Sequence, residues 1–505
     1  MASSCCWRCV SHVRPAYPSR TLALPSQSAS LLRTPTTASP FHTSATLNAA
    51  APKKGKGGPP GPKFRESRTT RVVRKGKTGR PARRTPEERK ALSHRIVLSN
   101  NNALEVTGMQ DLSVANMSDP EFRAQVVGLP MNLVDRLRAV DAFKRSQGWG
   151  LFRRPCTVVR KETVQLGELI EQIHSRDNGS EAVMSLVTGG RRTGKSVHLL
   201  QATTMAFLKN WVVVTIPDAW DLVNGTTAYA PLPSSDPIKY FQKDAVAKLL
   251  KRMAEGNEEV LSQLHVSRAH PNVKDPETSL FELAHIGIQQ PEISWSIFRS
   301  LWSELTATGP AIDTNAAKGT RPFKARPQLL VTVDNLSHWM AKTSYYSSDY
   351  KPIHAHDLTI VEHFLSLARM EPKKALPNGG LILYAMSGSN SLTVPSLEVG
   401  IKQVAARQAG VDPSSPDYPM LYHKVDERVA SLFAEAKSLG YMELRGLPKD
   451  EAAGLLRYYA QSGLMRERVD GRLVGEKWSL SSGGVVGELE LLGRRLRALP
   501  ITAQE

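Results

Sequence analysis

Four apolar runs of strand length punctuate the middle of the chain, and segments with helical spacing lie between them. The runs are Ala182–Thr188, Trp211–Ile216, Leu329–Val333 and Leu381–Met386, each followed by Gly, Pro, Asp or Ser. Nearly continuous apolar runs fit strands covered on both faces. After the first run, Val197 to Ala202 can continue as a helix to about Lys209. Ala245 to Ala254 form a second helical stretch. Leu358, Val361, Phe364, Leu365 and Ala368 mark one face of a third. Strands alternating with helices predict an α/β class with a doubly wound parallel sheet over residues 165–395. The Gly/Pro/Ala-rich stretch from Thr306 to Pro327 reads as a loop in a long insertion.

The flanks carry different patterns. Residues 96–164 read as a helical or extended docking segment, with Leu133, Leu137, Val140 and Phe143 at short helical spacing. Beyond 396 the pattern is helical. Val429, Leu432, Phe433, Ala436 and Leu439 trace one helix stopped by Gly440. A second is expected from about Pro448 to Gln461, with Pro448 in its first turn, and a last one near Leu489–Leu496. This predicts a helical, lid-like C-terminal domain over 396–505.

Charge changes the picture at the amino end. The chain has 505 residues, 41% of them apolar, which is enough for a large core and excludes a wholly disordered protein. No apolar stretch reaches about 18 residues, so no membrane-spanning helix is expected. Of the net charge of +19, +16 falls within residues 1–90, where nineteen Lys and Arg face three acidic residues. Met1 to Arg65 contain no acid, and Arg8, Arg14, Arg20 and Arg33 are spaced among Ser, Thr, Ala and Leu. That is the composition of a mitochondrial transit peptide, expected over residues 1–48. Phe41-His42-Thr43-Ser44-Ala45 resembles processing sites of fungal mitochondrial precursors. Residues 49–95 form a basic, Pro/Gly-containing arm suited to neutralising nucleic-acid phosphates. A continuation of the targeting signal is the other reading of it. Cys6 and Cys9 have metal-ligand spacing without a second pair, and with Cys5 they lie in the leader. Cys156 is expected to be a packing residue.

The candidate chemistry sits after the first strand. Gly189-Gly190-Arg191-Arg192-Thr193-Gly194-Lys195-Ser196 matches the pattern of a phosphate-binding P-loop, in the required order of strand, loop and helix. Gly189 and Gly194 permit torsions that a side chain obstructs. The amides from Gly190 to Ser196, and Val197 behind them, can cradle anionic oxygens at the positive end of a helix dipole. Lys195 is expected to reach the β- and γ-phosphates, and Ser196 to ligate Mg²⁺. His198, just beyond, reads as a packing residue.

Such a loop needs an acidic residue at the end of a neighbouring strand, and Asp334 is the candidate second support for Mg²⁺. The next residue is Asn335, where many related ATPases carry a Glu; an amide cannot accept the proton of an attacking water. The site therefore looks able to bind nucleotide and poorly equipped to hydrolyse it. Ser387 to Asn390 would close the Leu381–Met386 strand near the γ-phosphate, as a phosphate sensor or a plain turn. Arg153 and Arg154, beside Trp149 and Phe152, either grip RNA or brace the first strand. The N-K-x-D guanine signature is absent. His423-Lys424-Val425-Asp426 is a near miss in the lid region, and neither ATP nor GTP is selected by the residues alone.

Together these parts resemble the death-associated protein three family, the GTP-binding proteins of the mitochondrial small ribosomal subunit. The resemblance rests on the leader, the basic arm, Gly189 to Ser196, the segment Trp211 to Ala219 with Ile216-Pro217-Asp218-Ala219, the Val333-Asp334-Asn335 strand end and the helical C-terminal region. It spans roughly residues 110–505 and suggests a fungal source. It implies a structural constituent of that subunit, in the mitochondrial matrix, with contacts to small-subunit rRNA and neighbouring ribosomal proteins. It further implies a bound guanine nucleotide, GTP or GDP, with Mg²⁺ near Ser196 and Asp334. The alternative is a mitochondrial AAA+-like P-loop ATPase. That reading needs a base at the Asp334 strand and an arginine supplied across a ring, and neither is identifiable.

Overall fold

The apolar runs form strands, and they pair in parallel. A short antiparallel pair, β1 (Val126–Gly128) and β2 (Cys156–Val158), comes first. Then follow β3 (Ala182–Thr188), β4 (Val212–Ile216), β5 (Leu329–Val333), a hairpin of β6 (Lys342–Tyr346) and β7 (Pro352–His354), β8 (Gly380–Ala385) and β9 (Leu439–Glu443). The main sheet has the order β9-β3-β8-β5-β4 and is parallel throughout. The structure is a computed structural model. It describes residues 95–494 apart from 176–180, 233–234, 269, 273–276, 310–322, 387, 389–391 and 421–424. The expected leader, its cysteines, and all of the basic arm but Arg95 lie outside the described residues.

The longer helices are α1 (Val134–Ala139), α2 (Lys161–Ser175), α3 (Lys195–Leu208), α4 (Lys243–Gly256), α5 (Leu280–Gln289), α6 (Ser294–Leu305) and α7 (Thr359–Arg369). After β8 come α8 (Pro395–Gln408), α9 (Glu427–Glu435), α10 (Lys449–Gln461), α11 (Gly471–Leu480) and α12 (Val486–Arg494). Side chains alternate across the sheet and feed two cores. Met184, Val214, Val331 and Tyr384 pack against Leu249 of α4, Leu283 of α5, Phe298 of α6 and Phe364 of α7. Val187, Val213, Leu330 and Leu383 face the other way, onto Ile170 of α2, Met205 of α3 and Leu137 of α1. This is the doubly wound parallel sheet expected of the sequence. A third core joins α10, α11 and α12 around Phe152, Leu456 and Leu489.

Strand register sets the site. Ala385 lies opposite Val187, and Tyr384 opposite Val333, so Gly189, Met386 and Asp334 emerge together at the carboxyl edge. Ligands of open α/β sheets bind at that edge.

Two expectations need correction. The helix through Val429, Leu432 and Phe433 ends at Glu435, and Leu439 and Gly440 belong to β9 instead. The apolar residues of the helix and the strand fall by chance into one helical spacing. β9 is an edge strand, half-buried, so its own alternation is faint. The region after 396 therefore contributes a strand to the sheet as well as helices. Pro448 is the cap before α10 rather than a residue of its first turn.

One buried carboxylate ties the inserted helices together. Glu304 of α6 is 0% exposed. It accepts hydrogen bonds from the Ser267 amide (3.0 Å) and hydroxyl (2.7 Å), the Arg268 amide (2.9 Å) and Arg326 Nη2 (2.6 Å), and pairs with His270 Nε2 at 2.9 Å. Burial pushes its pKa up, but bonds from His270, Ser267 and Arg326 more than offset this and hold it down at about 2. Glu304→Gln is expected to cost about 3–5 kcal/mol at neutral pH, because it leaves Arg326 buried without its counter-charge. A depressed carboxyl contributes stability above its unfolded pKa and loses it as pH falls through the folded one. Urea unfolding should therefore show the gap between wild type and variant closing as pH falls from about 4.5 towards 2. A constant gap over that range would contradict this assignment.

Candidate functional site

The turn after β3 is built from backbone conformations that few residues adopt. Gly189 has φ +133°, Arg192 +62° and Gly194 +100°. A Cβ on Gly189 would lie 2.2 Å from the Leu444 carbonyl oxygen, so only glycine fits between the loop and the chain leaving β9. The Thr193 hydroxyl donates to the Gly190 carbonyl across the turn at 3.0 Å. α3 starts at Lys195 behind Gly194, and no side chain caps it. Its first amides, including those of Ser196 and Val197, thus lack helical acceptors, the arrangement that helix N-termini offer to anions.

Lys195 is 7% exposed, and its ammonium donates to the Gly189 (2.8 Å) and Gly190 (2.6 Å) carbonyls. Burial lowers its pKa, and the charge of Asp334 acts against that shift. Arg191 and Arg192 are exposed. The Arg192 guanidinium donates to Glu488 of α12 at 2.9 Å, and the Gly487 amide donates to the Arg192 carbonyl at 3.1 Å. Behind the loop, buried Arg160 donates to the Thr193 (3.0 Å) and Arg445 (2.9 Å) carbonyls and to Glu162 (2.7 Å). Neither the bonds of Arg160 to Thr193 and Arg445 nor the α12 contacts carry a local sequence signal, since these partners are far along the chain.

Asp334 follows β5 directly, at 3% exposure. One carboxylate oxygen accepts the Asn335 amide at 2.8 Å, and the other is in contact with the Lys144 ammonium. Asn335 has φ +63° and turns its side-chain amide to Asp218 Oδ1 at 2.8 Å. The Ala219 amide donates to the Asp334 carbonyl, and Asp334 donates to the Ile216 carbonyl. Trp339 Nε1 adds a bond to the Ala219 carbonyl at 3.1 Å. The segment Ile216 to Ala219 is thus stitched to the end of β5. Lys144 is the residue that sequence reading missed; nothing in its neighbourhood points to a partner so far downstream.

A cavity of about 320 Å³ opens between the loop and the C-terminal helices. Arg191 to His198 line one end. Phe152, Cys156, Leu455, Tyr458 and Tyr459 line the other, with Glu490 of α12 on its wall. Phe152 stacks on Tyr459 at 5.7 Å between ring centres. The Cys156 thiol donates to the Tyr458 hydroxyl at 3.0 Å, and burial pushes the thiol up to about 12. Cys156 is a packing residue, as expected. His198 is 1% exposed, neither ring nitrogen has a hydrogen-bond partner, and burial holds it neutral with a pKa of about 4. It packs as expected but also faces this cavity. Glu490 pairs with Arg494 one turn on. A Cβ on Gly148 would come within 2.4 Å of its Oε1, so the chain at Gly148 fits closely over it.

The remaining candidates resolve as follows. Arg154 braces the Asp111 carboxylate (2.6 Å) and the Met109 carbonyl (3.0 Å), and Arg153 bonds to Asn101; Trp149 and Phe152 are buried. Both arginines thus bond to the segment 101–111 of the same chain. Gly388 lies with its backbone against Arg191, while Ser387, Ser389 and Asn390 are outside the described residues. His423 and Lys424 are also outside them, and Asp426 caps α9 through the Arg428 amide at 3.1 Å, which is not a base-reading role. Among the described residues no group of three or more His, Cys, Asp or Glu is placed to hold a metal.

Comparison with known proteins adds the following. The family model described as "Mitochondrial ribosomal death-associated protein 3" matches residues 157–492. A Neurospora crassa protein, "Small ribosomal subunit protein mS29", is 35% identical over 499 residues, covering 97% of this chain and 98% of that one. A Bos taurus protein of the same name is 24% identical over 275 residues, covering 54% of this chain and 63% of its own. The crystal structure of Cdc6p from Pyrobaculum aerophilum aligns over 66% of this chain and 59% of its own, with TM-score 0.29 and 9% identity.

The geometry at Gly189 makes a sharp prediction. Gly189→Ala must push Leu444 away and hold alanine at a positive φ, so it should destabilise the protein by about 2–4 kcal/mol. Denaturant unfolding measures this; a change below about 0.5 kcal/mol would show that the close approach is absent.

Proposed function

The chain belongs to the mitochondrial ribosomal death-associated protein 3 family, and from that premise we propose that it holds a guanine nucleotide as a retained ligand. Its place is the small subunit of the mitochondrial ribosome, where small-subunit rRNA and neighbouring ribosomal proteins are its partners. The observation that carries the nucleotide reading is the loop itself. Uncapped amides at the start of α3, a buried Lys195 and the α12 contacts to Arg192 enclose a space suited to a polyphosphate.

The base would enter the part of the cavity lined by Phe152 and the α10 tyrosines. There Glu490 supports guanine over adenine. A carboxylate can accept both N–H groups of the guanine Watson–Crick edge, whereas adenine would set a lone pair against it. The ring nitrogens of His198 and the Cys156 edge add polar surface beside the ribose. For Mg²⁺, Ser196 and Asp334 are the residues at hand, with phosphate oxygens completing the shell. Turnover is disfavoured because Asn335 offers no base and is tied to Asp218.

Lys195→Ala should abolish the rise in melting temperature that added GDP gives the wild type, a stabilisation of about 2.7 kcal/mol at a hundredfold excess over Kd. An undiminished shift in the variant would refute the loop as the site. Glu490→Gln should cut the preference for GDP over ADP by roughly tenfold in competition binding, equivalent to about 1.4 kcal/mol; unchanged preference would move the base elsewhere. In sucrose gradients of mitochondrial lysate the protein should sediment with the small subunit, and recovery only at the top of the gradient would overturn that placement.

A further inference from the structure

The contact between Lys144 and Asp334 bears on what neutralises the site. Lys144 stands in a turn that is fixed from several sides. Its amide donates to Gln147 Oε1 at 2.8 Å, the same oxygen takes Trp149 Nε1 at 2.7 Å, and the Gln147 amide returns to the Lys144 carbonyl at 3.2 Å. Phe143 and Trp149, both buried, meet edge to face at 5.2 Å and anchor the turn in the core. The turn is therefore not a free loop whose lysine wanders, and its side chain is directed onto the end of β5.

The carboxylate it meets needs a cation. The Asp334 side chain is 4% exposed, and a carboxylate so buried is costly unless paired. Lys195 acts on it only at longer range, its ammonium donating to the Gly189 and Gly190 carbonyls. With the Asn335 amide on one oxygen and Lys144 on the other, Asp334 already has a donor on each oxygen and a cation beside its charge. A magnesium ion at Ser196 would reach Asp334 through its water shell, and would meet there a carboxylate whose charge Lys144 already balances. An ammonium has three donors. Lys144 can keep Asp334 and still offer N–H groups to a phosphate, and it remains 23% exposed beside Ser146 to Trp149, which line the cavity.

We propose that Lys144 is a built-in cation of the nucleotide site, occupying the place at Asp334 that a hydrated metal would take, so that nucleotide is held with little dependence on Mg²⁺. This rests on the nucleotide reading above and revises its metal: Ser196 and the phosphates remain available to Mg²⁺, while Asp334 is committed to Lys144. Removing the ammonium would leave a bare buried carboxylate facing phosphate oxygens, and a divalent ion would then be needed to bridge them.

The test is GDP binding to the full chain by calorimetry, in excess Mg²⁺ and in excess EDTA. Wild-type affinity should differ by less than about threefold between the two buffers, whereas Lys144→Met should lose roughly tenfold or more in EDTA. Lys144→Arg, which keeps the charge, should behave as the wild type. A wild type that loses tenfold or more in EDTA overturns the proposal, and so does a Lys144→Met protein as indifferent to EDTA as the wild type. The wild-type measurement decides even where Lys144→Met fails to fold. Absence of GDP binding by the wild type in both buffers would instead overturn the nucleotide reading itself, and this inference with it.

Discussion

Residues from three distant parts of the chain converge on the backbone of one turn, Gly189 to Ser196. With positive φ at residues 189, 192 and 194, the turn can belong to neither the strand before it nor the helix after it. Its carbonyls must then find partners elsewhere, because buried backbone groups left unpaired are costly. Arg160 supplies one from the N-terminal side, and the Gly487 amide another from α12. Leu444, leaving β9, packs its carbonyl against Gly189 so closely that a side chain there is excluded. The flanking regions are thus parts of the loop's hydrogen-bonding scheme, and the loop fixes where they stand.

That convergence explains the enclosed cavity. β9 brings the chain back beside β3, and α10 to α12 then fold over the loop around their own core with Phe152. Because α12 bonds to Arg192 through both main chain and side chain, opening the cavity costs native contacts as well as exposing aromatic surface. On the proposed reading, a ligand in such a site exchanges slowly and behaves as part of the native state, contributing stability through mass action.

The sequence announced the parts of the site whose chemistry is local. Strand, glycine turn and helix are contiguous from Ala182 to Leu208, and Asp334 closes a β-branched run, so pattern alone placed them. What it hid depends on tertiary contact. Lys144 and Asp334 are brought together only by the anchoring of the Phe143–Trp149 turn in the core. Glu490 looks like any residue on a half-exposed helix until the close approach of Gly148 puts it on the cavity wall. β9 was masked because its apolar residues continue the spacing of the helix before it. Arg153 and Arg154, set beside two aromatics, had the composition of an RNA contact; the aromatics prove to be buried, and Arg154 pairs with Asp111.

The end of β5 shows why substitution at one position would not make this site hydrolytic. Asn335 sits in a left-handed conformation, which asparagine tolerates better than most residues. Its amide nitrogen donates to Asp218, and that bond joins the Ile216–Ala219 segment to Asp334. A glutamate at 335 would replace this donor with a second carboxylate facing Asp218 across a hydrogen-bond distance, and like charges so placed repel. The longer side chain would have to swing out and abandon the link to Asp218. An acceptor for a water proton at this position and the tie that holds the strand end are therefore incompatible here. The geometry keeps the tie, which on the proposed reading favours holding a nucleotide over turning it over.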